Sequence, residues 1–235
     1  MGLPILPKNR KYLRCFEGIT ITGARLKFRV SGWLDDPFCR VDPKVYSVLD
    51  RVVKQFEVSG KSVAPHARAY TDPEEASALG LWLVTSAIVQ SKPAQTLDDL
   101  GSVSAAPETS YREWLDQHAR REAIRLKWAE FFDQYDAIIM PISPVSSGPH
   151  DQQGNFGVRT LHSDHGDRPY SDLVRWTILT GMAYLPATTP PIGFDVDGLS
   201  VSFQIVGPQG GDYTTIALAQ RMAELCGGYQ PPALS

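Results

Sequence analysis

The stretch RVSGWLDDPFCRVDPKVYSVLDRVVKQFEVSGKSV, residues 29–63, indicates the fold class of this chain. Alternation of apolar and polar residues predicts a strand over 27–34. Asp42 followed by Pro43 is a typical helix start. The carboxylate caps the first turn, and proline, which has no N–H, loses no hydrogen bond at this position. An apolar stripe with helical spacing follows at Val45, Leu49, Val52, Val53 and Phe56. Residues 61–65 predict a returning strand, and a strand–helix–strand unit is typical of a parallel sheet.

The rest of the chain continues to alternate helices and strands. We expect helices over 72–89, 111–132 and 171–182, and a final helix from Asp212 to Gly227-Gly228 with apolar residues on most faces. Strands are expected at Ala137–Met140, which reads as buried on both faces, and at 199–206. The fold class is therefore α/β, a mixed β-sheet flanked by helices.

Segments without periodicity define the domain organisation. Residues 1–25 read as an irregular entry segment, and 26–235 as one partial domain. Small, polar residues over about 91–110 predict a mobile surface loop. Residues 142–170 are also aperiodic, and a loop of that length in a compact domain is typically functional. Gly198 ends a predicted turn that begins at Asp195.

Charge and hydropathy exclude two classes of partner. The chain has 23 Lys and Arg against 26 Asp and Glu, a net charge of −3, which is not the balance of a protein that neutralises nucleic-acid phosphates. Its longest apolar run, 79–89, falls short of the roughly 20 residues that cross a bilayer. We therefore expect no nucleic acid and no membrane. The prolines and late positive charges at the N-terminus are unlike a secretory signal, and three cysteines without paired spacing fit the cytoplasm.

Three stretches resemble the C-terminal half of the amidase-signature hydrolases. They are FFDQYDAIIMPISP (131–144), the run from Thr180 to Leu225 that contains YLPATTPPIGF and GLSVSFQIVG, and GGYQPP (227–232). The matching positions are Tyr135, Asp136, Pro141, Gly181, Leu185, Pro186, Ala187, Pro191, Gly193, Gly198, Leu199, Gln204, Gly207 and Asp212. The stretch from Arg29 to Val63 is also similar to the strand and helix that follow the family's catalytic region. The resemblance implies the C-terminal portion of an amidase-signature fold.

The same resemblance implies which chemistry is missing. Enzymes of this family cleave amide bonds with a nucleophilic Ser, a second Ser in a cis peptide and a Lys, next to a Gly/Ser-rich run whose N–H groups hold the oxyanion. No GGSSGG-like run occurs in this chain, so no catalytic residue is assigned. The expected function is the substrate-pocket half of an amidase-like hydrolase acting on carbon–nitrogen bonds, inactive as an isolated chain. The alternatives are a non-catalytic interaction or regulatory protein derived from a truncated amidase, and a truncated product without function.

Site and partner residues follow from the resemblance as well. The acyl side of the substrate is expected to pack against Ile142, Ser143, Pro144, Trp176 and Thr180, although packing in the core explains Trp176 equally well. No metal and no organic cofactor is implied. The expected partner is a small-molecule amide if the enzyme is complete, together with self-association through an exposed sheet edge, because half of a sheet leaves a border unpaired.

Local clusters of reactive or charged residues in the sequence have structural explanations that are simpler than a functional site. His162 and His165 near Asp167 could ligate a metal, but a polar loop explains them better. A Ser/His/Asp set built from Ser143, Ser146 or Ser147 is disfavoured because no strand–Ser–helix elbow is present. Burial or plain exposure is favoured over reactivity for Cys15, Cys39 and Cys226. Likewise, 207–212 reads as a capped turn rather than an anion site, and the charges of 118–130 as a solvated helix face.

Overall fold

The computed structural model describes residues 28–59, 62–65, 67–69, 72–91, 109–149 and 158–230. The predicted entry segment 1–25 lies outside these residues, as does 92–108 of the predicted loop. Ser91, which the prediction places in this loop, is the last residue of a helix.

The first strand–helix–strand unit forms where the sequence predicts it, with a first strand shorter than the predicted 27–34. Strand β1 (Val30–Gly32) and strand β2 (Val63–Pro65) are parallel, with Val30 opposite Val63. Helix α1 (Pro43–Val58) connects them, and the Asp42 carboxylate accepts a hydrogen bond of 2.9 Å from the N–H of Lys44. The stripe predicted from the spacing is buried along this helix, which holds it against the sheet.

Two long helices precede the central strand. Helix α2 (Pro73–Ser91) begins at the predicted cap, where the Asp72 carboxylate accepts a hydrogen bond from the N–H of Glu75 at 2.9 Å. Helix α3 (Tyr111–Gln134) begins after Ser110, which caps it through its hydroxyl. Strand β3 (Ala137–Pro141) is buried at every residue, as its run of apolar side chains predicts.

The described residues after β3 contain five strands and two α-helices. A short hairpin consists of β4 (Thr160–Leu161) and β5 (Arg168–Pro169). The predicted helix over 171–182 is two elements, a 3₁₀ turn (Tyr170–Val174) and helix α4 (Arg175–Gly181). Three strands and the last helix follow: β6 (Ala187–Thr188), β7 (Pro191–Phe194), β8 (Ser200–Val206) and α5 (Asp212–Cys226).

The main sheet is mixed and has six strands in the described residues. Its order is β2-β1-β3-β8-β6, and β7 pairs with β8 beside β6. Strand β3 runs parallel to β1 and antiparallel to β8, with Ile139 opposite Ile205. Strand β2 pairs only with β1, so its outer side is an edge in the part of the chain that the structure describes. The predicted fold class, a mixed sheet flanked by helices, is confirmed.

The helices form two groups around this sheet. Helix α1 packs on α5, β7 and β8, whereas α2 packs on α3 and α4, and α4 packs on β3. Helix α5 is buried on one side only. This differs from the prediction, in which apolar residues lie on most of its faces. Tyr213 is 57% exposed and Ile216 is 44% exposed, while Leu218 and Met222 are buried. No helix among the described residues is long and apolar enough to cross a membrane.

Candidate functional site

A cavity of about 790 Å³ opens where the aperiodic segments meet the start of α1. Its walls come from the first turn of α1, the loop that follows β3, the β4–β5 hairpin and the turn before β8. Pro149 lines it on one side and Arg159 on another, and residues 150–157 between them lie outside the described chain. We refer to this space as the cavity.

Asp195 organises the turn on one side of the cavity. Its carboxylate accepts hydrogen bonds from the hydroxyl of Ser146 and from the N–H groups of Asp197 (3.0 Å) and Leu199 (2.9 Å). Burial acts to raise the pKa of Asp195, but these hydrogen bonds and the charge of Lys44 outweigh it and hold that pKa below its ordinary value. Asp195 is therefore a carboxylate at neutral pH, with its acceptor sites occupied by the chain itself.

The other two acidic groups of the cavity are also paired. Asp197 accepts a hydrogen bond of 2.8 Å from Lys44, which raises the pKa of that ammonium group. Asp42 accepts from the N–H of Lys44 with one oxygen and from the N–H of Asp164 with the other, at 2.9 Å each. Asp42 thus joins the start of α1 to the tip of the β4–β5 hairpin and fixes two walls of the cavity against each other.

Arg168 anchors the base of the hairpin. Its Nε donates to Asp172 at 2.8 Å, and its Nη1 donates to the carbonyl oxygen of Arg40. The remaining Nη2 lies 3.3 Å from the Sγ of Cys39. These contacts bind residues 168–172 to the segment before α1, so the hairpin is a fixed wall of the cavity.

Arg159 lies at the start of this hairpin and lines the cavity. Its guanidinium lies over the ring of Tyr170, with the central carbon 5.6 Å from the ring centroid. Its Nε is buried and has no hydrogen-bond partner in the part of the chain that the structure describes. Arg159 also makes none of the ion pairs formed among the described residues. It differs in this from Lys44, the other positively charged side chain of the described lining, which pairs with Asp197.

The structure places the predicted residues of the loop after β3 beside or within the cavity wall. Ser143 lines the cavity, and its hydroxyl donates to the carbonyl oxygen of Val145 at 2.8 Å. Pro144 is buried, and its carbonyl oxygen accepts a 2.7 Å hydrogen bond from the N–H of Asp42. Ile142 is half-buried at the end of β3. Of these three predicted residues, Ser143 alone is in the described lining of the cavity.

Trp176 and Thr180 lie instead in a buried cluster that we call the inner corner, formed by Trp33, Phe38, Trp176, Thr180 and Gln204. The ring of Trp176 packs edge-on against Trp33 and Phe38, with centroids 5.4 and 4.8 Å away, and its Nε1 donates to the carbonyl oxygen of Cys39 at 2.9 Å. Thr180 donates to the Gln204 side chain at 3.0 Å. Gln204 donates in turn to the carbonyl oxygens of Pro141 and Trp176. Neither Trp176 nor Thr180 is among the side chains that line the cavity.

Three cavity residues escaped prediction from the sequence. Asp195 was read only as the start of a turn, Lys44 only as part of a helix, and Arg159 lies in a segment without periodicity. The sequence Asp195-Val-Asp-Gly198 did carry a signal, because aspartates in a turn point carboxylates at nearby N–H groups. Nothing in the sequence near Arg159 indicates that it lines a cavity.

The remaining candidates have structural explanations. Burial raises the pKa of Cys39 to about 11, although Arg168 acts to lower it, so the thiol is protonated at neutral pH and is not a nucleophile. His162 pairs with Asp167 at 2.7 Å on the surface, and the described residues contain no group of three side chains suited to a metal. Ser146 pairs with Asp195 rather than with a histidine.

Comparison with known proteins decides the family. The amidase family model matches residues 21–216, most of the chain. The chain belongs to the amidase family. The fold of the chain is similar to that of a solved amidase, which superposes with a TM-score of 0.65 at 18% identity, over 83% of this chain and 45% of the other.

Two curated relatives of the amidase family match shorter stretches. A putative amidase from Synechocystis is 33% identical over 107 residues, which is 44% of this chain and 20% of the relative. A fatty acid amide hydrolase from Medicago truncatula is 26% identical over 108 residues, or 46% of this chain and 17% of the relative. The matched region corresponds to about a fifth of these relatives and to less than half of the solved amidase.

Proposed function

We propose that this chain is the substrate-binding half of an amidase-like hydrolase acting on carbon–nitrogen bonds, and that it does not cleave them alone. The observation that carries this proposal is a family match over residues 21–216 in a sequence that has no Gly/Ser-rich run for a nucleophile. Acyl transfer from an amide needs an activated nucleophile and a set of donors for the oxyanion. The cavity supplies walls and charges, and another polypeptide segment has to supply the reacting serine.

In this proposal the predicted substrate residues have different tasks. Ser143 contacts the acyl group, while Ile142 and Pro144 shape the wall beside it. Trp176 and Thr180 act from the inner corner, where their hydrogen bonds hold α4 and β8 in place. The proposal includes a small-molecule amide as substrate and a cytoplasmic location, with no cofactor assigned.

An activity assay of the purified chain tests the missing nucleophile. We expect no turnover of a panel of aliphatic and aromatic amides above the rate in buffer. A fluorophosphonate probe, which labels activated serines, is expected to leave the chain unlabelled. A catalytic amidase-family protein assayed in parallel serves as the positive control.

Ordinary turnover together with one stoichiometric label would contradict the proposal. The variants Ser143→Ala, Ser146→Ala and Ser147→Ala then show whether a cavity serine is responsible. Loss of labelling in one of them would identify a nucleophile that sequence comparison missed. Retained turnover in all three would point to a contaminating enzyme or to a serine elsewhere in the chain.

Self-association through the outer edge of β2 is a further part of this proposal. The edge has no partner strand among the described residues, and an unpaired edge is a template for another strand. Pro65 limits the pairing, because it has no N–H to donate. Sedimentation equilibrium is expected to show a concentration-dependent dimer, and a monomer at all accessible concentrations would contradict it.

A further inference from the structure

We propose that the outward face of α3 is an interface between two copies of this chain, which pair there in antiparallel orientation. The face runs from Arg112 to Glu130 along the side of α3 that is exposed to solvent, and we call it the α3 face. None of its residues is in the described lining of the cavity. The inference therefore goes beyond the proposed function, and it concerns a different surface from the outer edge of β2.

The centre of the α3 face is apolar, although α3 is otherwise a charged helix. Leu115 is 49% exposed and Leu126 is 66% exposed, and Ala119 and Ala123 between them are exposed as well. At about 100° per residue, these four positions lie within about 80° of the helix circumference. Single exposed apolar residues are common, but a continuous stripe on the solvent side of a helix indicates that another molecule covers it.

Four charged residues lie at the ends of this stripe. Arg112 and Asp116 are near the start of the helix, whereas Lys127 and Glu130 are near its end, and all four are exposed. None of them makes an ion pair with another residue in the described part of the chain. The ion pairs that α3 does form there use Arg120, Arg121, Glu122 and Arg125. The charges at the ends of the stripe are therefore available to a second molecule.

The order of these residues along the helix fits an antiparallel pair of α3 helices. A two-fold axis that crosses α3 midway between Arg112 and Glu130 places each of them opposite the other in the second copy. The same axis brings Leu115 next to Leu126 of the second copy, because this pair is centred within one residue of the same point. The surface is thus complementary to itself, which is what an interface between identical chains requires.

Charge selects this orientation over the parallel one. Asp116 and Lys127 are centred on the same axis, so opposite charges meet at both ends of an antiparallel pair. In a parallel pair, each charged residue would face the same residue of the second copy, like charge against like charge. Glu122 lies near the two-fold axis and would approach itself, but Arg125 of its own chain pairs with it at 2.8 Å.

Substitution in the apolar centre is the first test. One helix face is a small interface, so we expect a weak dimer whose dissociation constant is measured by sedimentation equilibrium of the purified chain. Leu115→Glu brings a carboxylate against Leu126 of the second copy, twice in each dimer, and should weaken dimerisation at least about tenfold. Ile216→Glu is the matched control, because it makes a similar change at a position of α5 that is 44% exposed. It should leave the constant within about twofold.

Charge reversal tests the orientation and does not depend on the apolar centre. Arg112→Glu alone or Glu130→Arg alone is expected to weaken dimerisation about threefold to tenfold, because like charges then meet at both ends. The double variant restores opposite charges and should recover the dissociation constant of the parent chain. High salt should reduce the difference between the single variants and the parent chain. All of these positions are exposed, and unchanged circular dichroism confirms that the variants fold.

The outcomes separate the α3 face from the edge of β2. If both surfaces associate, the parent chain forms tetramers and Leu115→Glu forms dimers; if α3 acts alone, the parent forms dimers and the variant monomers. Either result supports the inference. Association that Leu115→Glu leaves unchanged, or a parent chain that is monomeric at its highest soluble concentration, would overturn it. A double charge variant that dimerises no better than the single ones would exclude the antiparallel orientation. The fluorophosphonate probe tests the missing nucleophile separately from all of these results.

Discussion

The inner corner and the wall of the cavity both place polar side chains near the end of β3, but they use them differently. In the inner corner, the Gln204 amide donates to the carbonyl oxygens of Pro141 and Trp176 and accepts from Thr180. In the cavity wall, the Nε of Arg159 is buried and has no hydrogen-bond partner among the described residues. A fully paired buried network gives rigidity, whereas a buried donor without a partner contributes no such restraint.

The hydrogen bonds of Trp176 and Thr180 lie inside the fold, whereas Ser143 lines the cavity, although the resemblance implies one substrate-binding role for all three. Substitutions that break the paired network of the inner corner should therefore lower stability more than substitutions of cavity-wall residues. The predictions below break or sharpen this comparison.

The largest effect is expected for Trp176→Ala. The ring is completely buried against Trp33 and Phe38, so its removal leaves a large cavity and should lower the free energy of unfolding by about 3–5 kcal/mol. Trp176→Phe keeps an aromatic ring but loses the bond to the Cys39 carbonyl, and should cost about 1–2 kcal/mol. Urea unfolding followed by circular dichroism measures both. A loss below about 1 kcal/mol in the alanine variant would mean that Trp176 is not a core residue.

The next effect is expected for Gln204→Leu. Leucine leaves the carbonyl oxygens of Pro141 and Trp176 without their donor in a buried site, which should cost about 2–3 kcal/mol. Gln220→Leu makes the same chemical change at an exposed position of α5 and should stay within about 0.5 kcal/mol. Similar unfolding midpoints for the two variants would argue against the paired network.

A smaller effect, dependent on pH, is expected for Asp195→Asn. The folded pKa of Asp195 lies below its ordinary value, so its contribution to stability is present above about pH 4 and is lost as the pH falls through the folded pKa. The variant should be about 1–2 kcal/mol less stable at pH 7 and should lose less stability than the parent chain on further acidification.

Ser146→Ala is the matched variant for Asp195. It removes one of three hydrogen bonds to the carboxylate and leaves the two N–H groups of the turn in place. It should therefore show an intermediate loss at pH 7 and keep part of the dependence on pH. Identical pH profiles for Asp195→Asn and the parent chain, measured by chemical unfolding between pH 3 and pH 7, would contradict the lowered pKa.

The smallest effect is expected where α2 meets α4. A Cβ on Gly80 would lie 2.6 Å from the Cγ1 of Ile178, so Gly80→Ala forces the helices apart. The cost of overpacking exceeds the gain in helix propensity, so the free energy of unfolding should fall by about 1 kcal/mol. Gly181→Ala, with open space around its Cβ, should stabilise by a few tenths of a kcal/mol. Thermal unfolding compares the two, and a stabilising Gly80→Ala would exclude close packing there.

Much of the fold was accessible from the sequence because it rests on local rules. The stripe of α1, the cap at Asp42 and the apolar run of β3 predict their elements with little ambiguity. Gly198 has a φ of 77°, as the predicted turn requires. The exposed outer side of α5 was not predicted, because composition shows which residues are apolar and not which of them the sheet covers.

The candidate site was less accessible because it depends on contacts that are distant in sequence. Asp42 reaches the N–H of Asp164, which is 122 residues away, and this contact brings the hairpin to the start of α1. Arg159 gains its place through pairing of two-residue strands that have no periodicity to detect. Likewise, the choice between pocket and core for Trp176 depended on whether Cys39 presents its carbonyl oxygen to the indole.

The most direct test is mass spectrometry of the purified chain after treatment with the fluorophosphonate probe, because the account assigns to this chain a cavity without a nucleophile. We predict an unmodified mass, since the hydroxyl of Ser143 donates to the carbonyl oxygen of Val145 and the hydroxyl of Ser146 donates to Asp195. A single stoichiometric adduct on a cavity serine would contradict the account.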